Sequence, residues 1–152
     1  MRGGQFIFLI IALELLKFSN ISLRGVADLS SLSPLSRLGW VGLNNNQVQS
    51  LAPLNGLAEL RQIDSRNNRL VSIELTNLPR LDWLNLQNNA ITNLAGFTGS
   101  PSLNGLFLDN NPIENLDGLD GFSRLRHLSL NDTGIDELSS IGLLTSLGDL
   151  SL

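Results

Sequence analysis

Apolar and polar residues in this chain follow two different periods, and the switch between them recurs. Residues 81–91 read Leu-Asp-Trp-Leu-Asn-Leu-Gln-Asn-Asn-Ala-Ile, apolar at places one, four, six and eleven with asparagine at place nine. The same spelling begins at Leu38, Leu60, Leu103 and Leu125, with steps of 22, 21, 22 and 22 residues, and a sixth copy opens at Leu147. Places three to seven alternate, so Leu84 and Leu86 point one way and Trp83, Asn85 and Gln87 the other, which predicts a short strand in each copy. Between strands the period changes to three: Leu51, Leu54 and Leu57; Leu116, Leu119 and Phe122; Leu138, Ile141 and Leu144. Spacing by three suits one or two turns of 3₁₀ helix rather than a long α-helix. Pro34, Pro53, Pro79, Pro101 and Pro112 all fall in these return halves or the loops leading into them, where no ladder N–H is lost.

A fixed period of this length with the spelling L-x-x-L-x-L-x-x-N-x-I is the leucine-rich repeat signature. It predicts an α/β solenoid: a leucine-rich repeat horseshoe with a curved parallel β-sheet on the concave face and short 3₁₀ or irregular segments on the convex face. Each coil buries its apolar face against its neighbours. The expected organisation is an apolar segment at 1–18 and a repeat domain at 19–152. Within the domain, a worn first repeat covers 16–37, full repeats begin at 38, 60, 81, 103 and 125, and a truncated one begins at 147. A step of 22 back from Leu38 puts Ser19, Ile21, Arg24 and Val26 in the worn copy's Leu, Leu, Asn and Ile places.

Residues 6–13 form an apolar run behind a charged start, and Glu14 interrupts it before Leu15-Leu16. The stretch reads either as a secretory signal or anchor, or as an apolar cap over the first coil. Membrane contact is expected only if residues 6–16 serve as signal or anchor. At the other end the chain stops inside the sixth strand, and exposed leucines there predict possible self-association.

Composition removes several function classes. The 152 residues carry a net charge of −4, which argues against a nucleic-acid partner. There is no cysteine, hence no disulfide, thiolate nucleophile or thiolate metal site. From Asp109 onward eight acidic residues face two arginines, against six acidic and eight basic before it. Glu114, Asp117, Asp120, Asp136 and Glu137 read as a solvated convex face. His127 is the only histidine. Ser129 lies two residues along its strand and Asp109 one coil away, which is scaffold proximity rather than a catalytic constellation. Asp109, Asn110, Asn131 and Asp132 offer oxygens without a calcium-site spelling. No catalytic residue, metal or cofactor is expected.

Two sets of side chains are singled out. Asn46, Asn68, Asn89 and Asn111, with Thr133 in the fifth copy, stand at the turn after each strand. An amide carries donors and acceptors, so a stacked row of them is expected to serve the turn backbone as a structural ladder. Ser65 occupies an inward leucine place, so its strand must shift or its hydroxyl must find a carbonyl. The second set faces outward from the strands. Trp40, Gln62, Trp83, Gly105 and His127 share one row, and Asp64, Asn85 and Phe107 the next. Arg66 follows at place seven, and Gly105 leaves a notch between Trp83 and His127. Tryptophan and arginine are enriched at binding hot spots. The expected partner-binding residues are therefore Trp40, Gln62, Asp64, Arg66, Trp83, Asn85, Phe107 and His127.

The 22-residue period and the return halves ADLSSLSPLSRL, QSLAPLNGLAEL and DELSSIGLLTSL resemble the subfamily shared by bacterial internalins and regulators of protein phosphatases. The resemblance covers residues 20–152. It implies a horseshoe that binds a protein ligand on its concave face and has no chemistry of its own, as a bacterial surface or secreted protein or a fragment of one. The alternative it allows is an intracellular regulatory subunit docking on an enzyme such as a protein phosphatase. A secreted or bacterial cell-surface location is favoured over a cytoplasmic one.

Overall fold

The computed structural model describes residues 20–152, so the signal, anchor or apolar cap expected at residues 1–18 lies outside the described residues. Seven strands form one parallel sheet in sequence order: β1 (Asn20–Ser22), β2 (Trp40–Gly42), β3 (Gln62–Asp64), β4 (Trp83–Asn85), β5 (Gly105–Phe107), β6 (His127–Ser129) and β7 (Asp149–Ser151). Each coil returns outside the sheet, and four returns contain a 3₁₀ turn: Ser30–Leu32, Ala52–Leu54, Leu119–Gly121 and Ser139–Leu143. The chain is thus a leucine-rich-repeat solenoid.

Alternation along each strand decides what is inside. The central residues Val41, Ile63, Leu84, Leu106 and Leu128 are buried, and so are Leu43, Leu86, Leu108 and Leu130 two places on. Leucines of the return halves, Leu51, Leu54, Leu116 and Leu119 among them, close the core from the other side. Full burial of one such side chain contributes about 1.5–3 kcal/mol, so the stacked leucines dominate stability. Phe97 and Phe122 from adjacent returns stack at 4.6 Å between centroids. The last coil is looser, with Leu143, Leu150 and Leu152 exposed.

Two details depart from the expected pattern. Ser65 is fully buried, yet its strand does not shift: its N–H donates to Asn85 O just as Leu43 N–H donates to Asp64 O. Its hydroxyl oxygen accepts from the Asn68 amide at 3.3 Å instead of donating to a carbonyl. The first coil needs a correction. Ile21 pairs with Val41, so it stands at place four and Leu23 at place six, 20 residues before Leu43. Val26, in contrast, bonds the Asn46 amide as Val48 bonds that of Asn68, 22 residues on. The turn between strand and return is therefore two residues shorter in this coil. A uniform 22-residue step could not show that, because the deletion removes the asparagine that would mark the place.

Candidate functional site

The turn after each strand fixes where the outward side chains stand. Place eight holds Asn45, Asn67, Asn88, Asn110 and Asp132, all left-handed with φ between 54° and 59°. Asparagine and aspartate tolerate that region better than other non-glycine residues, which explains the Asn-Asn doublets. At place nine, Asn89 donates to Leu86 O at 2.9 Å and back across the coil to Ser65 O at 3.0 Å. Its oxygen accepts from Leu70 N–H at 3.0 Å. Asn46, Asn68 and Asn111 repeat this three-way pattern. Asn46 also supplies the first coil, donating to Leu23 O at 3.0 Å. Thr133 donates only to its own Leu130 O, at 2.7 Å, and Ile113 N–H turns to Asn111 O.

Strand register then sets the outward rows. Trp40, Gln62, Trp83, Gly105, His127 and Asp149 are paired neighbours in one row, and Gly42, Asp64, Asn85, Phe107, Ser129 and Ser151 in the next. Three of the singled-out residues meet. Trp83 stacks on Phe107 with centroids 4.5 Å apart, and the His127 ring lies 6.1 Å from the indole. Trp83 remains 38% exposed, so the stacked indole is still partly open to solvent. Trp40 does not join them. Its indole lies over its own strand, where a Cβ on Gly42 would come 2.6 Å from Cη2. The notch expected at Gly105 is not open either. A Cβ there would meet Trp83 Cε3 at 2.5 Å, so the missing side chain is what lets the indole lie down between β4 and β6.

Polar partners flank the cluster. Arg66 grips Asp64 with two hydrogen bonds of 2.9 Å. That bond, and then the carboxylate's charge, raise the guanidinium's pKa against a small opposing effect of burial. His127 Nδ1 lies 2.6 Å from the Asp149 carboxylate. Gln62 is exposed, and Asn85 is half-buried beside the Trp83–Phe107 pair.

Asp109 stands at place seven, which strand alternation turns outward, yet it is buried. Gln87, Ser129 and Asn131 close over it. The Ser129 hydroxyl and the Asn131 backbone and side-chain N–H groups donate to Oδ1, and Gln87 donates to Oδ2. Burial pushes this carboxyl's pKa up, but the hydrogen bonds from Gln87, Ser129 and Asn131 outweigh it and hold the group below the ordinary value. The place-seven spelling Gln87, Asp109, Asn131 across neighbouring coils was the available signal, since donors on both sides of a carboxylate close over it. Ser129 is thereby committed to Asp109 and His127 to Asp149, so the three do not form a relay. Among the described residues, no group of three His, Asp or Glu side chains is placed to hold a metal.

Comparison with known proteins supports the fold. A family model for leucine-rich repeats (two copies) matches residues 79–121. No curated protein sequence matches the chain. An internalin (InlF) from Listeria monocytogenes superposes with a TM-score of 0.77 at 24% identity, over 88% of this chain and 40% of that one. The functional domain of InlJ from the same organism, which includes a cysteine ladder, superposes with a TM-score of 0.63 at 24% identity, over 76% of this chain and 25% of that one. The chain therefore spans less than half the length of either, and its fold is an internalin-type leucine-rich-repeat fold.

Proposed function

We propose that this chain is a non-enzymatic recognition module that binds a partner protein on its concave face, in a bacterial protein that is secreted or held at the cell surface. The observation that carries the reading is the half-open Trp83 indole, stacked on Phe107 and seated over Gly105 on the face opposite the leucine core. Burial of an aromatic whose orientation is already fixed costs little rotamer entropy on binding. His127, Asn85, Gln62 and the Asp64–Arg66 pair supply polar groups around it, and Trp40 widens the contact two strands away. An aromatic centre with a polar surround is the arrangement of a protein-binding hot spot. The internalin-type fold supports the same choice, because solenoids present extended concave binding surfaces.

The test compares the wild-type chain with Trp83→Ala and with the convex-face variant Asp120→Ala. Proteins captured by immobilised wild-type chain are identified and titrated against all three. Loss of a hot-spot indole costs at least about 2 kcal/mol, so Trp83→Ala weakens the partner by roughly 30-fold or more. Asp120→Ala leaves its affinity unchanged. A partner that binds all three equally places recognition away from the aromatic cluster and refutes the reading.

A further inference from the structure

The rim where the chain runs into the strands carries a second site that the aromatic cluster does not use. Arg61, Asp82, Asn104 and Arg126 all stand at place two of their copies, and backbone bonds stack them: Asp82 N–H donates to Arg61 O, Asn104 N–H to Asp82 O, and Arg126 N–H to Asn104 O. One row further out stand Arg80, Ser102, Arg124 and Ser146, each just before its copy's first leucine. Together these eight line an open cleft of about 660 Å³. Four of the nine arginines thus gather around one acid in a chain of net charge −4. Arg80 is paired with Glu59, whereas Arg61, Arg124 and Arg126 form no ion pair among the described residues. All four side chains are exposed. The Ser102 and Ser146 hydroxyls are already donating to Pro79 O and Ser123 O, so the cleft's donors are the guanidiniums and the Asn104 amide.

We propose that this cleft binds an extended acidic peptide segment. Coils stack about 4.8 Å apart, which puts Arg80 and Arg124 roughly 10 Å apart and Arg61 and Arg126 roughly 14 Å apart. Carboxylates four residues apart on one face of an extended strand are separated by about 13 Å, close to the wider spacing. Those two apart are separated by about 7 Å, short of the narrower one by roughly 3 Å that the long, flexible arginine side chains cover. Asp82 decides between classes of polyanion. A sulfated glycan or a nucleic acid carries charge at every unit and would set one against Asp82. A peptide alternates its carboxylates with neutral backbone and can offer Asp82 an N–H. Guanidiniums suit the carboxylates, since the planar fork takes both oxygens.

The site stands on residues distinct from the aromatic cluster, so its test is read separately. A fluorescent decapeptide of alternating glutamate and serine is titrated by anisotropy at low salt against wild type, the double variant Arg61→Gln/Arg126→Gln, and Trp83→Ala. The wild type and Trp83→Ala bind it alike. The double variant binds about tenfold more weakly, and added salt weakens wild-type binding, as expected for exposed charge pairs. Unfolding midpoints confirm that both variants fold. Three results overturn the proposal: no saturable binding to wild type, equal binding of the glutamine–serine decapeptide, or equal binding by the double variant. A heparin decasaccharide that binds the wild type more tightly than the peptide also overturns it, in favour of a glycan.

Discussion

The asparagine ladder predicts that two chemically identical deletions have unequal costs. Asn89→Ala removes the partner of Leu70 N–H, but the carbonyls it served keep another donor. Ser65 O still accepts from Asn68, and Leu86 O still accepts from Asn111. Asn111→Ala is different, because Thr133 in the next coil does not reach back. Ile91 N–H and Leu108 O both lose their only hydrogen-bond partner among the described residues, and both residues are buried. A buried group left unpaired costs about 1–3 kcal/mol, so Asn89→Ala costs about 1–3 kcal/mol and Asn111→Ala about twice that. Asn85→Ala, on the half-buried outward face, serves as the reference and costs less than either. Urea denaturation followed by far-ultraviolet circular dichroism gives the three values, provided the slopes agree. A second step isolates the cause. Thr133→Asn restores a donor to Leu108 O, so in that background Asn111→Ala costs about as much as Asn89→Ala. If the Asn89 variant is destabilised as much as the Asn111 variant in the native background, the reach-back account is wrong.

The Asp109 network makes stability depend on acid. Its folded pKa is depressed, so its contribution is full above the ordinary carboxylate value near about 4 and is lost as pH falls through the lower folded value. Asp109→Asn therefore narrows the stability gap between pH 7 and pH 3 relative to wild type in urea titrations, and an unchanged gap contradicts the assignment.

Much of this architecture can be read from spacing because a solenoid makes long-range neighbours periodic. Residues 21 or 22 apart are next to each other in space, so Gln62 beside Trp83 and Gly105 beside His127 follow from counting. Counting fails where a side chain chooses between neighbours. Trp40 and Trp83 share a row, yet Gly42 lets one indole fold over its own strand and Gly105 lets the other lie over the neighbouring strand. The pattern shows the row and both glycines. It does not show which free space each indole fills, because that depends on rotamers and on the Phe107 ring. Counting also fails where the repeat length changes, as in the short turn between Leu23 and Val26.

The arginine cleft was legible in principle and was missed for a definite reason. A net charge summed over the whole chain hides a local excess, and splitting the chain by position along its length hides it again. A solenoid should be summed by place within the repeat. At place two and the residue preceding place one, copies 60 to 125 contribute Arg61, Arg80, Arg124 and Arg126 against Glu59 and Asp82. Because Arg61, Asp82, Asn104 and Arg126 each precede a member of the row Gln62, Trp83, Gly105 and His127, the basic rim and the aromatic cluster run side by side along the sheet. Two surfaces of different chemistry in parallel tracks can be occupied by one ligand or by two. The distinction is measurable, since binding of a single partner would lose affinity on both Trp83→Ala and the Arg61/Arg126 double change. Losses from those changes would be additive if the tracks contribute independently, and less than additive if docking on one track orients the ligand for the other.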